Sequence, residues 1–574
     1  MKIFVAQIKS IAGDAQGNFA RIQAAYNQAT KAGCDICLLP ELVTSGYLAE
    51  DLFFSQDFIN AIDQINKDLI ESTGKCALIL PTIIQDKGNL YNSAIVAQNG
   101  KIIGQTNKTI LPNYGVFDEK RYFTPGKPQI ITINGKKVGV PICEDIWHFA
   151  VCDDLQSQGA EIFLVPNASP FEIGKFDLRK QQVIARYNEH KIPFIFCNQA
   201  TSQDGIIFDG HSFCHDGKIS VICKGFCEDS AVVTWREESL LRAPTTPVMA
   251  RERSDRGHPV IKRLSAFIMD PHVALRAPRD DGAGASAPRD DAEGVWGDNS
   301  IIYQALIFGL KSYVEDNGFT KVILGLSGGI DSALVACICA DALEYQNVTA
   351  YMMPSKITSE DSKKDARAVA KLLNIASLEI PIHKILESYI TQLEASKNAE
   401  AQDLMYQNLQ ARIRGSILMA HANKHGSLLI TTGNKSEYAT GYATLYGDMN
   451  GAFNPIKDLY KTQIFALAAY RNSISNVIPE NIITKEPTAE LATNQKDSDS
   501  LPPYYILDKI LYSYLELNLP KKELYKNFDQ QVVDKVVALV KKSEFKRKQS
   551  APGIKISRLN LEKDRRFPIT NLFN

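Results

Sequence analysis

Short, nearly continuous apolar runs alternate with helix-patterned stretches along residues 1–240. KIFVAQI is followed by FARIQAAYNQATKAG and then DICLLPEL; later runs are CALILPTII, YNSAIVAQNGKIIG, KKVGVPICEDIW, EIFLVPNAS and PFIFCNQ. Runs of Val, Ile and Leu with little polar alternation mark strands buried on both faces. From residue 300 the pattern restarts with a helical stretch, IIYQALIFGLKSYVEDNG, then KVILGLS and a second alternating series. The pattern predicts two α/β domains in tandem, residues 1–240 and 294–574.

The stretch between them, residues 241–293, breaks the pattern. It holds six prolines, LRAP twice and APRDD twice, with little apolar periodicity. Such a segment buries too little surface to offset its ordering entropy, so it is expected to be a mobile low-complexity insertion in the linker.

Composition narrows the function class. The chain has 574 residues, is 45% hydrophobic and 22% charged, and carries a net charge of −1. That balance argues against a nucleic-acid or membrane partner. The opening MKIFVAQIKS is too short and too soon polar for a signal peptide, and no apolar run approaches membrane-spanning length. Eleven cysteines without framework spacing fit a reducing, cytoplasmic setting. Cys34 and Cys37 form a C-x-x-C, but it sits in an apolar strand run with no second pair at zinc-ribbon spacing.

Three segments of the first domain carry candidate chemistry. LLPELVTSGY places Glu41 at the end of a buried run, NKTILPNYGVFDEKRYF supplies Lys108 and Glu119, and VPICEDIW supplies Cys143. A free thiol has a pKa of roughly 8.5, so a neutral-pH nucleophile needs a base or a cation beside it. A carboxylate can take the proton, and a lysine can stabilise the oxyanion formed on attack at a carbonyl. Acid, lysine and cysteine in this chain order resemble the nitrilase (carbon–nitrogen hydrolase) family over about residues 1–237. The resemblance implies an αββα sandwich with Glu41, Lys108 and Cys143 as the catalytic triad. LPNYGVFDE and NASPFEIGK are similar to the glutaminase branch of that family. They imply glutamine contacts from Tyr114, Ser169 and Lys175, an oxyanion donor in the Glu144 backbone N–H, and an orienting role for Glu119.

The second domain opens on GLSGGIDSALV. Backbone amides and hydroxyls of Ser327, Gly328, Gly329 and Ser332 at a helix start form an anion site, yet the loop lacks the Gly-Lys-Ser/Thr ending of a kinase-type P-loop. Asp331 and Glu437 are hard oxygen ligands, and Mg²⁺ commonly takes one or two carboxylates plus phosphate oxygens and water. Positive charge is available from Lys461, Lys485 and Lys546, and Arg412 and Arg414 lie beside a helical apolar stripe in NLQARIRGSILMA.

With TTGNKSE, GYATLYGDM, KEPTAEL, QKDSDSLPPY and KRKQSAPG, residues 300–560 resemble the NAD synthetase family of N-type ATP pyrophosphatases. The resemblance implies a doubly wound, Rossmann-like parallel sheet. It implies ATP on Gly325, Leu326, Ser327, Gly328, Gly329, Ile330, Asp331, Ser332 and Thr432. Deamido-NAD would meet Asn408, Glu437 and Lys546, with Lys461 and Thr488 stabilising charge at the adenylated intermediate and Asp331 and Glu437 holding Mg²⁺. Other ATP pyrophosphatases, which make GMP or asparagine, lack KEPTAEL and LPPY.

Together the two resemblances imply a glutaminase fused to an ammonia-consuming ligase. The expected net reaction takes deamido-NAD, ATP, glutamine and water to NAD, AMP, pyrophosphate and glutamate. The family also implies a homo-oligomer assembled through the synthetase domain.

Overall fold

A computed structural model describes residues 1–236, 297–393, 404–492 and 495–571. The insertion expected at 241–293 lies outside the described residues. The chain divides into two compact units within that stretch.

In the first unit, two six-stranded sheets form among the described residues. One runs, in spatial order, Asp229–Thr234, Lys2–Gln7, Ile36–Leu38, Ala77–Asp86, Asn89–Gln98 and Lys101–Asn107. The other runs Ile219–Val221, Phe213–His215, Phe194–Asn198, Ile162–Asn167, Lys136–Gly139 and Ile130–Ile133. Side chains alternate along each strand. Ile3, Val5, Ile36, Leu38 and Ile79 therefore face Ile131, Val138, Ile162, Leu164 and Ile195 of the other sheet in one buried cluster. Phe4, Ala6, Cys37, Leu78 and Leu80 point the other way, against Ile22, Ala25, Tyr26 and Ala29 of helix Ala15–Lys31 and Ile65 and Leu69 of helix Gln56–Glu71. On the far side, helices Phe149–Ser157 and Lys175–His190 cover Phe163, Val165, Phe194 and Phe196.

The layering is the expected αββα, and both faces of the inner strands are dry, which is why they read as unbroken apolar runs. Each fully buried Ile or Leu contributes about 1.5–3 kcal/mol relative to exposure. Two of the covering helices start on a side-chain cap: Asp14 accepts from the Gly17 amide and Ser55 from the Phe58 amide.

The second unit contains a parallel sheet of order Ala376–Glu379, Val348–Met352, Val322–Gly325, Leu428–Ile430. In chain order this is 3-2-1-4. The connections leaving Val322–Gly325 and Leu428–Ile430 therefore diverge and open a crevice at the carboxyl ends of the strands. Helix Leu404–His425 packs on the sheet with Ile413 and Leu418 against Ile323, Tyr351 and Leu429. Helix Ile330–Leu343 follows the first strand and is buried nearly all round. A helical cluster built on Leu507, Ile510, Leu511, Val533, Val536 and Val540 completes the unit. No described helix is long and apolar enough to cross a membrane.

Candidate active site

Several groups of charge are buried in each unit, and one in each lies among the residues singled out by the sequence. In the first, Lys108 follows the strand Lys101–Asn107, and its backbone is held by the N–H donated from Lys108 to the Asn92 carbonyl. Its ammonium donates to Oε1 of Glu41 and to Oε1 of Glu119, both at 2.7 Å. All three groups are buried: Lys108 and Glu41 are 0% exposed and Glu119 is 4% exposed. Asn92 Nδ2 also donates to Glu41 Oε1 at 2.8 Å, and the Tyr47 hydroxyl donates to Glu119 Oε1 at 2.5 Å. Glu41 Oε2 has no hydrogen-bond partner among the described residues.

Electrostatics follow from this crowding. Burial works against the Lys108 ammonium, but Glu119 and Glu41 outweigh it and hold its pKa well above the usual lysine value. Burial pushes Glu119 up to about 7, against the pull of Lys108. Cys143 opens the short turn Cys143–Trp147 after the strand Lys136–Gly139, with a left-handed backbone at φ 46°. Burial first, then the Glu41 charge, pushes its thiol well above the usual range; Lys108 and the Ala168 amide that hydrogen-bonds its sulfur pull the other way. The cysteine is therefore a neutral thiol, and a neutral thiol attacks a carbonyl only where a base can take its proton.

The three residues implied as glutamine contacts gather around this turn. The Tyr114 hydroxyl donates to Glu144 Oε2 at 2.9 Å, directly after the cysteine. Ser169 is buried and adjoins Ala168, its N–H donating to Asn198 Oδ1 at 3.0 Å. Lys175 Nζ lies 5.0 Å from the ring centre of Trp147, the last residue of the turn, and 3.7 Å from Glu172.

The second constellation lines a cavity of about 310 Å³ in the crevice of the second unit. Residues 325–332 form one wall, and Ile430 to Gly433 another. The loop is tight. Gly328 has φ +86°, and a Cβ there would lie 2.2 Å from the Ser362 carbonyl oxygen. Ser327 and Ser332 brace it: the Ser327 N–H donates to Ser332 Oγ at 3.2 Å and the Gly329 N–H to Ser327 Oγ at 3.2 Å.

Asp331 projects from the first turn of the helix and accepts from Lys461 Nζ at 2.5 Å and Asn434 Nδ2 at 3.0 Å. Lys461 Nζ also lies 3.5 Å from Glu437 Oε1. Asn434 and Glu437 form a reciprocal capping box at the start of helix Lys435–Thr440. Burial and then the Asp331 charge push Glu437 up to about 8. Asp331 and Glu437 share the Lys461 ammonium, and both are oxygen donors of the kind a hard ion takes together with phosphate and water.

Thr432, Lys461, Lys485 and Thr488 line the cavity. Asn408 and Lys546 do not. Asn408 Oδ1 accepts from Thr444 Oγ1 at 2.9 Å, and Lys546 Nζ donates to the carbonyls of Gly441 and Ala443 at 2.8 and 2.7 Å. Arg414 is among the lining residues, its Nε donating to the Met353 carbonyl at 3.0 Å, and burial lowers its pKa to about 10. Sequence reading missed Tyr47, Asn92 and Asn434. Only Asn434 left a signal, the Asn-x-x-Glu spacing of a capping box.

Comparison with known proteins agrees with this division. The Carbon-nitrogen hydrolase family profile matches residues 2–237 and the NAD synthase profile matches residues 302–550. The glutamine-dependent NAD(+) synthetase of Thermotoga maritima is 39% identical over 582 residues, covering 100% of this chain and 99% of that protein. The one from Acinetobacter baylyi is 39% identical, with 99% and 98% covered. A solved structure of the Acinetobacter baumannii glutamine-dependent NAD+ synthetase in complex with ADP superposes with a TM-score of 0.73 at 36% identity, covering 99% of this chain and 98% of that one. With its two constellations in two matched domains and its whole length shared with these relatives, the chain belongs to the glutamine-dependent NAD(+) synthetase family.

Proposed function

We infer that this enzyme makes NAD(+) by the final step of its biosynthesis, hydrolysing glutamine in the first unit and amidating deamido-NAD at the expense of ATP in the second. The observation that carries the reading is the presence, in one chain, of the buried Glu41–Lys108 pair beside Cys143 and the Asp331–Lys461–Glu437 group in a nucleotide-sized crevice.

In the glutaminase half, Cys143 Sγ attacks the glutamine carboxamide carbon while Glu41 takes the thiol proton. Lys108 and the Glu144 backbone N–H stabilise the oxyanion. Collapse of that intermediate releases ammonia, with the proton returned by Glu41, and leaves a thioester that water hydrolyses to glutamate. Glu119 holds the second side of Lys108, and Tyr114, Ser169 and Lys175 orient the amino-acid end of the substrate.

In the synthetase half, the 325–332 loop and Thr432 hold ATP, and Lys461 and Thr488 stabilise charge as the deamido-NAD carboxylate attacks the α-phosphate. Asp331 and Glu437 would hold Mg²⁺, which supplies charge neutralisation on the leaving pyrophosphate. Ammonia then displaces AMP from the acyl-adenylate. Asn408 and Lys546, which bond the 441–444 segment and do not line the cavity, contact a part of deamido-NAD outside it. The active form is a homo-oligomer joined through the synthetase domain.

The test is NAD formation from deamido-NAD, ATP and Mg²⁺ with either glutamine or ammonium as nitrogen source. Both should serve in the natural chain, and Cys143→Ala should use ammonium alone. AMP release that does not depend on deamido-NAD, or glutamine use that survives Cys143→Ala, would remove the reading.

A further inference from the structure

Thr109 and Ile110 follow Lys108 directly, and their backbone N–H groups donate to Oδ1 of Asp145 at 3.1 and 2.8 Å. The other carboxylate oxygen, Oδ2, accepts from the N–H of Ile142 at 3.0 Å, one residue before Cys143. A single carboxylate thus joins the two segments that carry the lysine and the cysteine.

Asp145 is 1% exposed, and its hydrogen-bond donors among the described residues are all backbone N–H groups. Burial pushes its carboxyl up to about 6, with the Ile142 and Ile110 amides pulling it back, so it is ionised at neutral pH. Hydrogen bonds to an ionised acceptor are roughly twice as strong as neutral ones. The segments it joins need holding. Cys143 has a left-handed backbone, a strained conformation for a residue with a Cβ that persists only where surroundings impose it.

We propose that Asp145 is the positioning residue of the glutaminase site, fixing the distance between Lys108 and Cys143 so that the ammonium meets the oxyanion as the carbon–sulfur bond forms. This rests on the reading of Cys143 as the glutamine nucleophile. Asparagine cannot take its place. The amide has one oxygen for two sets of donors, and whichever way it turns its NH₂ faces a backbone N–H. A mere turn cap would affect stability and leave the chemical step alone; a positioning role moves kcat and the reactivity of the thiol.

The experiment uses the full chain in four forms: natural, Asp145→Asn, Cys143→Ala, and an amide-to-ester replacement at Ile110 that deletes one donor alone. Glutamate release gives kcat and KM, iodoacetamide alkylation of Cys143 across pH gives thiol reactivity, denaturant unfolding checks the fold of the first unit, and ammonium-driven NAD formation checks that of the second. For Asp145→Asn we expect kcat with glutamine to fall about 10- to 100-fold, KM to change little and alkylation to slow. The ester should lower kcat about 3- to 10-fold in the same direction. Natural kcat and alkylation in Asp145→Asn would overturn the proposal. So would a loss matched by ammonium-driven activity while the ester keeps natural kcat. Glutamine turnover surviving in Cys143→Ala would instead overturn the nucleophile reading beneath it.

Discussion

Lys108 and Glu41 meet at 2.7 Å with both side chains wholly shut off from solvent. Glu119 completes the group on the other side of the same ammonium. Removing one partner from a buried ion pair leaves uncompensated charge, which costs about 3–5 kcal/mol. Lys108→Met strands two carboxylates that each lost their cation. The first unit should lose stability on that scale near neutral pH, seen as a lowered unfolding midpoint in denaturant. An unchanged midpoint would mean that the pair carries no net structural weight.

Glu119 gives a pH signature. Its folded pKa of about 7 exceeds the ordinary value of 4.5. Between those values the folded chain keeps a proton that the unfolded chain releases. The stabilisation is therefore complete below the unfolded value and lost as pH rises through the folded one. Unfolding midpoints of the natural chain and Glu119→Gln, followed from about pH 5 to 8, should diverge as pH rises, with the natural chain losing more. Parallel curves would show that Glu119 titrates elsewhere.

Gly328 is the tightest point of the nucleotide loop. Alanine there would need φ +86° and would press its Cβ to 2.2 Å from the Ser362 carbonyl oxygen. Overpacking of this kind costs about 1–3 kcal/mol, and the left-handed backbone adds roughly 1–2 kcal/mol. The loop should shift instead of absorbing the contact. KM for ATP in ammonium-driven synthesis should rise about tenfold or more. An unaltered KM would mean that the nucleotide does not lie on this loop.

Asp331 holds Lys461 and Asn434 together at the mouth of the helix Ile330–Leu343. Asp331→Asn should lower AMP release by about 100-fold or more with either nitrogen source, as loss of preorganised charge does at other sites. Chelation of divalent ions should stop AMP release from the natural enzyme and added Mg²⁺ should restore it. Full activity in the variant would exclude Asp331 from the synthetase chemistry.

Much of this was legible in the sequence because chemistry and burial leave local marks. Continuous apolar runs announced strands covered on both faces, and Ile3 and Phe4 do face opposite cores. Glu41, Lys108 and Cys143 each say little alone; their order across three patterned segments singled them out, and glycines and hydroxyls before a helix singled out the 325–332 loop. What stayed hidden depends on approach across long stretches of chain. Tyr47 reaches Glu119 over 72 positions and Lys461 reaches Asp331 over 130, and no spacing rule covers either. Asn408 and Lys546 could be matched to family motifs, but only coordinates show them turned to backbone carbonyls and Thr444 and away from the cavity lining.

The pairing of strands Lys2–Gln7 and Asp229–Thr234 has a consequence for engineering. The two run antiparallel in register from Lys2 opposite Thr234, and the Trp235 N–H donates to the Met1 carbonyl at 2.9 Å. The described residues of the first unit therefore begin and end beside each other. A short linker from residue 235 back to residue 1 would close the unit into a ring. Fresh ends could then be cut at the exposed turn of Lys87 and Gly88, between two strands already paired antiparallel. Such a circular permutant would keep every strand neighbour it has now.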